Sequence, residues 1–123
     1  MYKYSLQKLK SKAITLANEV TPPYTILLKG DLGTGKTTFA QFFIKQLLID
    51  STKPVSSPTF TIINEYVSTK GHIWHADLYR LKDETELLEL GIIEFLQYGI
   101  TLIEWPELIE PFIQSSSTTI ISF

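Results

Sequence analysis

Residues 30–38 read Gly-Asp-Leu-Gly-Thr-Gly-Lys-Thr-Thr, and Gly30, Gly35, Lys36 and Thr37 fit the spacing G-x-x-x-x-G-K-[ST] without a gap. Each residue type meets a separate need of polyphosphate chemistry. Glycines let a loop wrap close enough for backbone N–H groups to point at phosphate oxygens. A helix opening at Lys36 adds its free N-terminal N–H groups and positive dipole end. The lysine of such a loop reaches the β- and γ-phosphates, and the next hydroxyl, here Thr37, serves Mg²⁺. Average residue frequencies produce this pattern by chance in about one chain of this length in several hundred. The stretch therefore predicts a nucleotide site, with Asp31, Gly33, Thr34, Gly35, Lys36, Thr37 and Thr38 as candidate contacts.

Phosphoryl transfer also needs an acid, usually at the C-terminal end of a neighbouring strand, to hold Mg²⁺ or its waters. Three acids compete. Asp50 continues the helix that opens at Lys36 and belongs at its far end, remote from phosphate. Glu104 ends the apolar run Ile-Thr-Leu-Ile-Glu-Trp, which Pro106 stops. Asp77 lies in Ile-Trp-His-Ala-Asp-Leu-Tyr, where alternation puts His75, Asp77 and Tyr79 on one face and Trp74, Ala76 and Leu78 on the other. Glu104 and Asp77 are the expected site acids. His75 reads equally well as a structural histidine or as part of the site.

The elements that must position these residues follow from periodicity and turn chemistry. Leu6, Leu9, Ala13, Leu16 and Ala17 fall at helical spacing in 5–19, with Ser5 as N-cap. Thr21-Pro22-Pro23 ends that helix, and a buried-type strand runs from Tyr24 to the glycine loop. Residues 36–49 have helical length and no breaker. The prolines and hydroxyls of 51–60 mark a loop, and strands at 61–67 and 72–79 around the turn 68–71 predict an antiparallel hairpin. Residues 82–97 look helical, with acids in the first turn and Gly91 dividing two short helices. Strands are expected at 99–105 and 118–123. Together this is one α/β domain over residues 1–123.

Composition excludes several classes. With no cysteine among 123 residues, disulfides and thiolate metal sites are impossible. No apolar run approaches the ~20 residues of a membrane span, and the start lacks a secretory apolar core, so the cytoplasm is expected. Arg80 is the only arginine, too few for the arginine lid that P-loop kinases close over a transferring phosphate. An Asn-Lys-x-Asp guanine motif is absent, and a net charge of −2 argues against a basic DNA groove. Through residue 53 there are eight lysines against three acids, and from Lys82 onward one base against eight acids. That asymmetry marks either a partner-binding face or ordinary solvated helix faces.

The motifs together resemble the bacterial TsaE (formerly YjeE) proteins, small P-loop ATPases required for threonylcarbamoyladenosine (t6A) modification of tRNA. The resemblance runs through GDLGTGKTTF at 30–39, SSPTF at 56–60, EY at 65–66, HADLYRL at 75–81, ELGI at 89–92 and IEWPE at 103–107. It implies a three-layer P-loop NTPase-like fold with a mixed sheet, antiparallel strands flanking a parallel centre. ATP and Mg²⁺ are the implied cofactors. The implied partner is the TsaD–TsaB threonylcarbamoyl transferase, with tRNA met only indirectly and the chain a monomer on its own. By position, Thr37 and Glu104 look like Mg²⁺ ligands and Lys36 the phosphate lysine. Asp77 looks like a catalytic or switch acid, and Thr59 like a γ-phosphate sensor in a switch loop. Trp105 looks functionally important, though core packing explains it as readily, and Ser5 or Leu6 aligns near the adenine.

One departure stands out. The family continues past the strand matching TTIISF into a hairpin partner carrying an arginine, whereas this sequence ends at Phe123. The expectation is an incomplete C-terminal hairpin and a missing nucleotide contact. Two other readings of the glycine loop stay open: a small-molecule kinase, and a nucleotide-dependent binding module without useful turnover.

Overall fold

Ser5 opens the first helix as its side-chain type predicts, its hydroxyl accepting the Lys8 N–H at 3.2 Å. The computed structural model describes residues 5–123, so residues 1–4 of the expected domain lie outside the described residues. Helix α1 (Leu6–Glu19) buries Leu9, Ala13 and Ala17, and its two alanines let α2 (Lys36–Leu47) approach closely. That second helix buries Phe39, Ala40, Phe43, Ile44 and Leu47. It stops two residues short of the expected end because the chain turns into sheet pairing. Leu48 bridges to Ser68, and Ile49 donates to the Val67 carbonyl.

Five strands form one sheet: β1 (Tyr24–Lys29), β2 (Ile63–Ser68), β3 (Gly71–Asp77), β4 (Ile100–Glu104) and β5 (Thr118–Ser122), in the order β2-β3-β4-β1-β5. Neighbours β3, β4, β1 and β5 run parallel, and β2 pairs antiparallel with β3 as the predicted hairpin. The sheet is therefore mixed with a parallel centre. The antiparallel arrangement falls on one flank only, since β5 lies parallel to β1 on the other. Every residue of β4 and the middle of β1 is buried, as a strand covered on both faces requires.

Helices α1 and α2 cover one face. On the other lie α3 (Glu84–Glu89) and α4 (Ile92–Phe95), divided at Gly91, whose φ of +72° suits glycine. Alternation sorts the core accordingly. Ile26, Leu28, Ile73, Ile100 and Leu102 face α1 and α2, while Leu27, Ala76 and Ile103 face α3 and α4. Because β1, β3 and β4 are parallel, their C-terminal ends meet at one edge, where α/β sheets hold ligands. No helix among the described residues is long and apolar enough to cross a membrane.

Candidate functional site

The glycine loop leaves β1 and turns directly into α2. Gly30, Gly33 and Gly35 have φ of +152°, +76° and +105°, the region L side chains rarely adopt. At Gly30 space is short as well. A Cβ there would lie 2.8 Å from Thr34 Oγ1 and 3.0 Å from Phe123 Cβ. The Thr34 hydroxyl donates to the Asp31 carbonyl at 2.7 Å, fixing the tip. Gly35 precedes the first residue of α2, and its carbonyl accepts the Phe39 N–H at 2.9 Å. The first turn of α2 thus opens directly from the glycine loop, where a helix offers N–H groups without partners inside the helix.

Lys36 is only 4% exposed. Its ammonium donates to the Gly30 carbonyl at 2.5 Å and sits 3.3 Å from the centroid of the Trp105 ring. Desolvation lowers its pKa, against the opposing pull of Glu104 and Asp77. Trp105 has φ +55° and ψ +62°, a backbone state that costs about 1–3 kcal/mol for a residue with a Cβ. A desolvated cation–π contact contributes about 2 kcal/mol or more, so the contact is large enough to offset the strain. Core packing alone does not describe Trp105, whose ring covers the lysine and meets Tyr79 at 4.9 Å.

Strand register assembles the acids. Leu28, Glu104 and Asp77 occupy one row across β1, β4 and β3, so all three side chains face α2. Glu104 is 3% exposed. Its Oε1 accepts the Thr37 hydroxyl at 2.7 Å and its Oε2 lies 2.7 Å from His75 Nε2. The Asp77 carboxylate accepts the Tyr79 N–H at 3.0 Å, which ends β3 two residues before the expected Tyr79. Its pKa is raised, chiefly by desolvation, with the Tyr79 hydrogen bond opposing and the Glu104 charge adding to the rise.

A cavity of about 220 Å³ is lined by Leu32, Gly33, Gly35, Lys36, Thr37, Thr38, Thr59, Asp77, Glu104 and Trp105. Eight of the sequence-predicted residues thus share one wall. Thr59 reaches it on a loop tied down by Gln41, which donates to the Val55 carbonyl at 3.1 Å, and by a Ser57–Thr59 hydroxyl contact of 2.7 Å. Asp31 and Thr34 belong to the loop but do not line the cavity, being bonded to each other instead. Ser5 and Leu6 are exposed on α1 and also lie outside it. Asp50 sits beyond the end of α2 and accepts from Thr52, far from the loop as expected. Two neighbours were not among the expected contacts, Gly30 as the acceptor for Lys36 and Leu32 as a cavity wall, while His75, open between a structural role and the site, is the partner of Glu104.

Residues 4–123 match the protein family described as "Threonylcarbamoyl adenosine biosynthesis protein TsaE". Named "tRNA threonylcarbamoyladenosine biosynthesis protein TsaE", a protein of Rickettsia bellii is 42% identical over 106 residues, 86% of this chain and 73% of its own length. The Bacillus subtilis protein of that name is 43% identical over 105 residues, 85% of this chain and 64% of its own. This chain thus spans roughly two-thirds of such relatives. The crystal structure of Bacillus subtilus YdiB superposes with a TM-score of 0.65 at 30% identity, covering 98% of this chain and 73% of that one.

Proposed function

The chain belongs to the TsaE family of threonylcarbamoyl adenosine biosynthesis, and from that premise we propose that it binds ATP with Mg²⁺ and hydrolyses it to drive t6A modification of tRNA. The observation that carries this reading is the Thr37–Glu104 contact of 2.7 Å at the mouth of the glycine loop. It joins two hard oxygen donors beside a buried ammonium. Mg²⁺ in nucleotide sites takes one or two protein oxygens and completes its shell with phosphates and water. Thr37 Oγ1 and Glu104 fit that demand. When bound, Mg²⁺ would neutralise charge on the β- and γ-phosphates.

The chain's own residues have the following work. Backbone N–H groups of Gly33, Thr34, Gly35, Lys36, Thr37 and Thr38 would cradle phosphate oxygens, with Asp31 shaping the loop through its carbonyl. Lys36 would exchange the Gly30 carbonyl and the Trp105 face for phosphate oxygens. Asp77, anchored through Oδ1 to Tyr79, keeps its second oxygen for the attacking water. Thr59 would offer its hydroxyl, now against Ser57, to the γ-phosphate. At about 220 Å³ the cavity is smaller than the ~300–1,000 Å³ of whole-ligand pockets, which suits a triphosphate tail with the nucleoside lying outside. Arg80 turns its guanidinium to the Phe60 ring at 4.9 Å.

In this reading the output is exerted on the TsaD–TsaB pair in the cytoplasm, hydrolysis resetting the complex and tRNA being met only through it. The test is a pull-down with TsaD–TsaB in ATP, in ADP and without nucleotide, combined with thin-layer analysis of labelled γ-phosphate. Nucleotide-dependent capture and label released as free phosphate are expected. Label transferred to an added metabolite would make it a kinase. Capture with single-turnover hydrolysis at background would make it a binding module.

A further inference from the structure

His75 lies in the middle of β3 and is completely buried on the face covered by α2. The register sets it opposite Leu102, so Glu104, two residues further along β4, is its diagonal neighbour on the same face. Nε2 meets Glu104 Oε2 at 2.7 Å. A carboxylate only accepts, so Nε2 carries the hydrogen. Nδ1 has no hydrogen-bond partner among the described residues. All the polar bonding of this ring is therefore spent on one carboxylate. The two oxygens of Glu104 are thus divided between elements: α2 holds Oε1 through Thr37, and β3 holds Oε2 through His75.

We propose that His75 is a positioning residue that fixes the rotation of the Glu104 carboxylate, keeping one oxygen beside Thr37 for a divalent cation. An apolar side chain of similar volume would fill the same space, although removing one partner of a buried pair leaves the Glu104 carboxylate without its donor and costs stability. What it would lack is a directed N–H. Glu104 also shares its row with the Asp77 carboxylate, and like charges side by side repel, so an unanchored Glu104 would rotate away from that row. Partners of this kind behind a metal-binding side chain set its orientation and contribute substantially to affinity. The inference rests on the reading of Glu104 as a Mg²⁺ ligand.

The experiment compares wild type, His75→Leu and His75→Gln. Folding is checked by thermal melts, then binding of a fluorescent ATP analogue is followed against Mg²⁺ concentration. Single-turnover hydrolysis is measured at saturating Mg²⁺. His75→Leu should raise the half-maximal Mg²⁺ concentration by about 10–100-fold while binding in EDTA stays unchanged. In His75→Gln the side-chain amide can still donate, and most of the response should return. A wild-type Mg²⁺ requirement in His75→Leu would overturn the proposal, as would a His75→Gln protein as impaired as His75→Leu. If His75→Leu does not fold, His75→Gln decides alone: a near-wild-type requirement supports the role and a raised one overturns it. Failure of both to fold would assign His75 to packing and overturn it. Wild-type protein lacking any Mg²⁺-dependent binding would overturn the metal role of Glu104 first, and this inference with it.

Discussion

The two faces of the sheet are made by the same strands and differ at alternate residues. Towards α3 and α4 the strands present Leu27, Ala76 and Ile103, joined by Leu78 just past β3 and packed against Leu87, Ile92 and Ile109. Towards α1 and α2 they begin equally apolar with Ile26, Ile73, Ile100 and Leu102. Near the C-terminal edge that second face changes to His75, Asp77 and Glu104. The change occurs where α2 begins, because that helix end supplies the Thr37 hydroxyl to meet Glu104. Thr37 and His75 satisfy both oxygens of Glu104, which is the condition for burying a carboxylate at all. One face is thus mainly packing, and the other becomes a site only near its C-terminal edge.

The largest break in this comparison should come from Lys36→Ala. Hydrolysis should fall by about 10³-fold, or roughly 4 kcal/mol of transition-state stabilisation, with folding retained. A loss under tenfold in a γ-phosphate release assay would remove Lys36 from the chemistry. On the opposite face, Leu87→Ala should cost about 2–5 kcal/mol of stability in urea melts. Its single-turnover rate below the unfolding temperature should stay at the wild-type value. A lowered rate would mean the faces are coupled and the division is wrong.

Smaller effects sharpen the boundary between the faces. Trp105→Gly should be more stable than Trp105→Ala by about 1 kcal/mol, because only glycine relieves the left-handed backbone at that position. Equal stabilities in paired thermal melts would show that Trp105 carries no strain. For Asp77, burial holds the carboxyl above its ordinary value of 3.8. The folded protein therefore keeps that proton to higher pH than the unfolded chain. The resulting contribution to stability is present at acid pH and is lost as pH rises from 3.8 through the raised value. Asp77→Asn should flatten this dependence and stabilise the protein at neutral pH by no more than about 1 kcal/mol, since the group is partly exposed. Urea melts of both proteins across that pH range would reveal the opposite slope if the sign is wrong.

The glycine loop was legible from sequence because its steric and chemical demands fall on adjacent residues. Glu104 and Asp77 were legible as acids closing apolar runs. The link from His75 to Glu104 was not, because it depends on the register of β3 against β4, the two residues being 29 positions apart. Spacing also cannot tell which side of a loop a residue faces. Asp31 and Thr34 fit the pattern as well as Gly33 does, yet they bond each other and leave the cavity wall to Leu32. The left-handed backbone of Trp105 is likewise invisible in a segment that reads as strand followed by proline. For β5, a short apolar strand pairs as well in either direction, and only its connection past α4 sets it parallel to β1.

The central claim is that Thr37 and Glu104 form an oxygen site that makes ATP hydrolysis depend on Mg²⁺. Single-turnover hydrolysis of γ-labelled ATP by Glu104→Ala, measured beside wild type with and without Mg²⁺, tests it most directly. Wild type should release phosphate in a Mg²⁺-dependent manner, and the variant should stay at background under both conditions. Unchanged Mg²⁺-dependent hydrolysis in Glu104→Ala would contradict it.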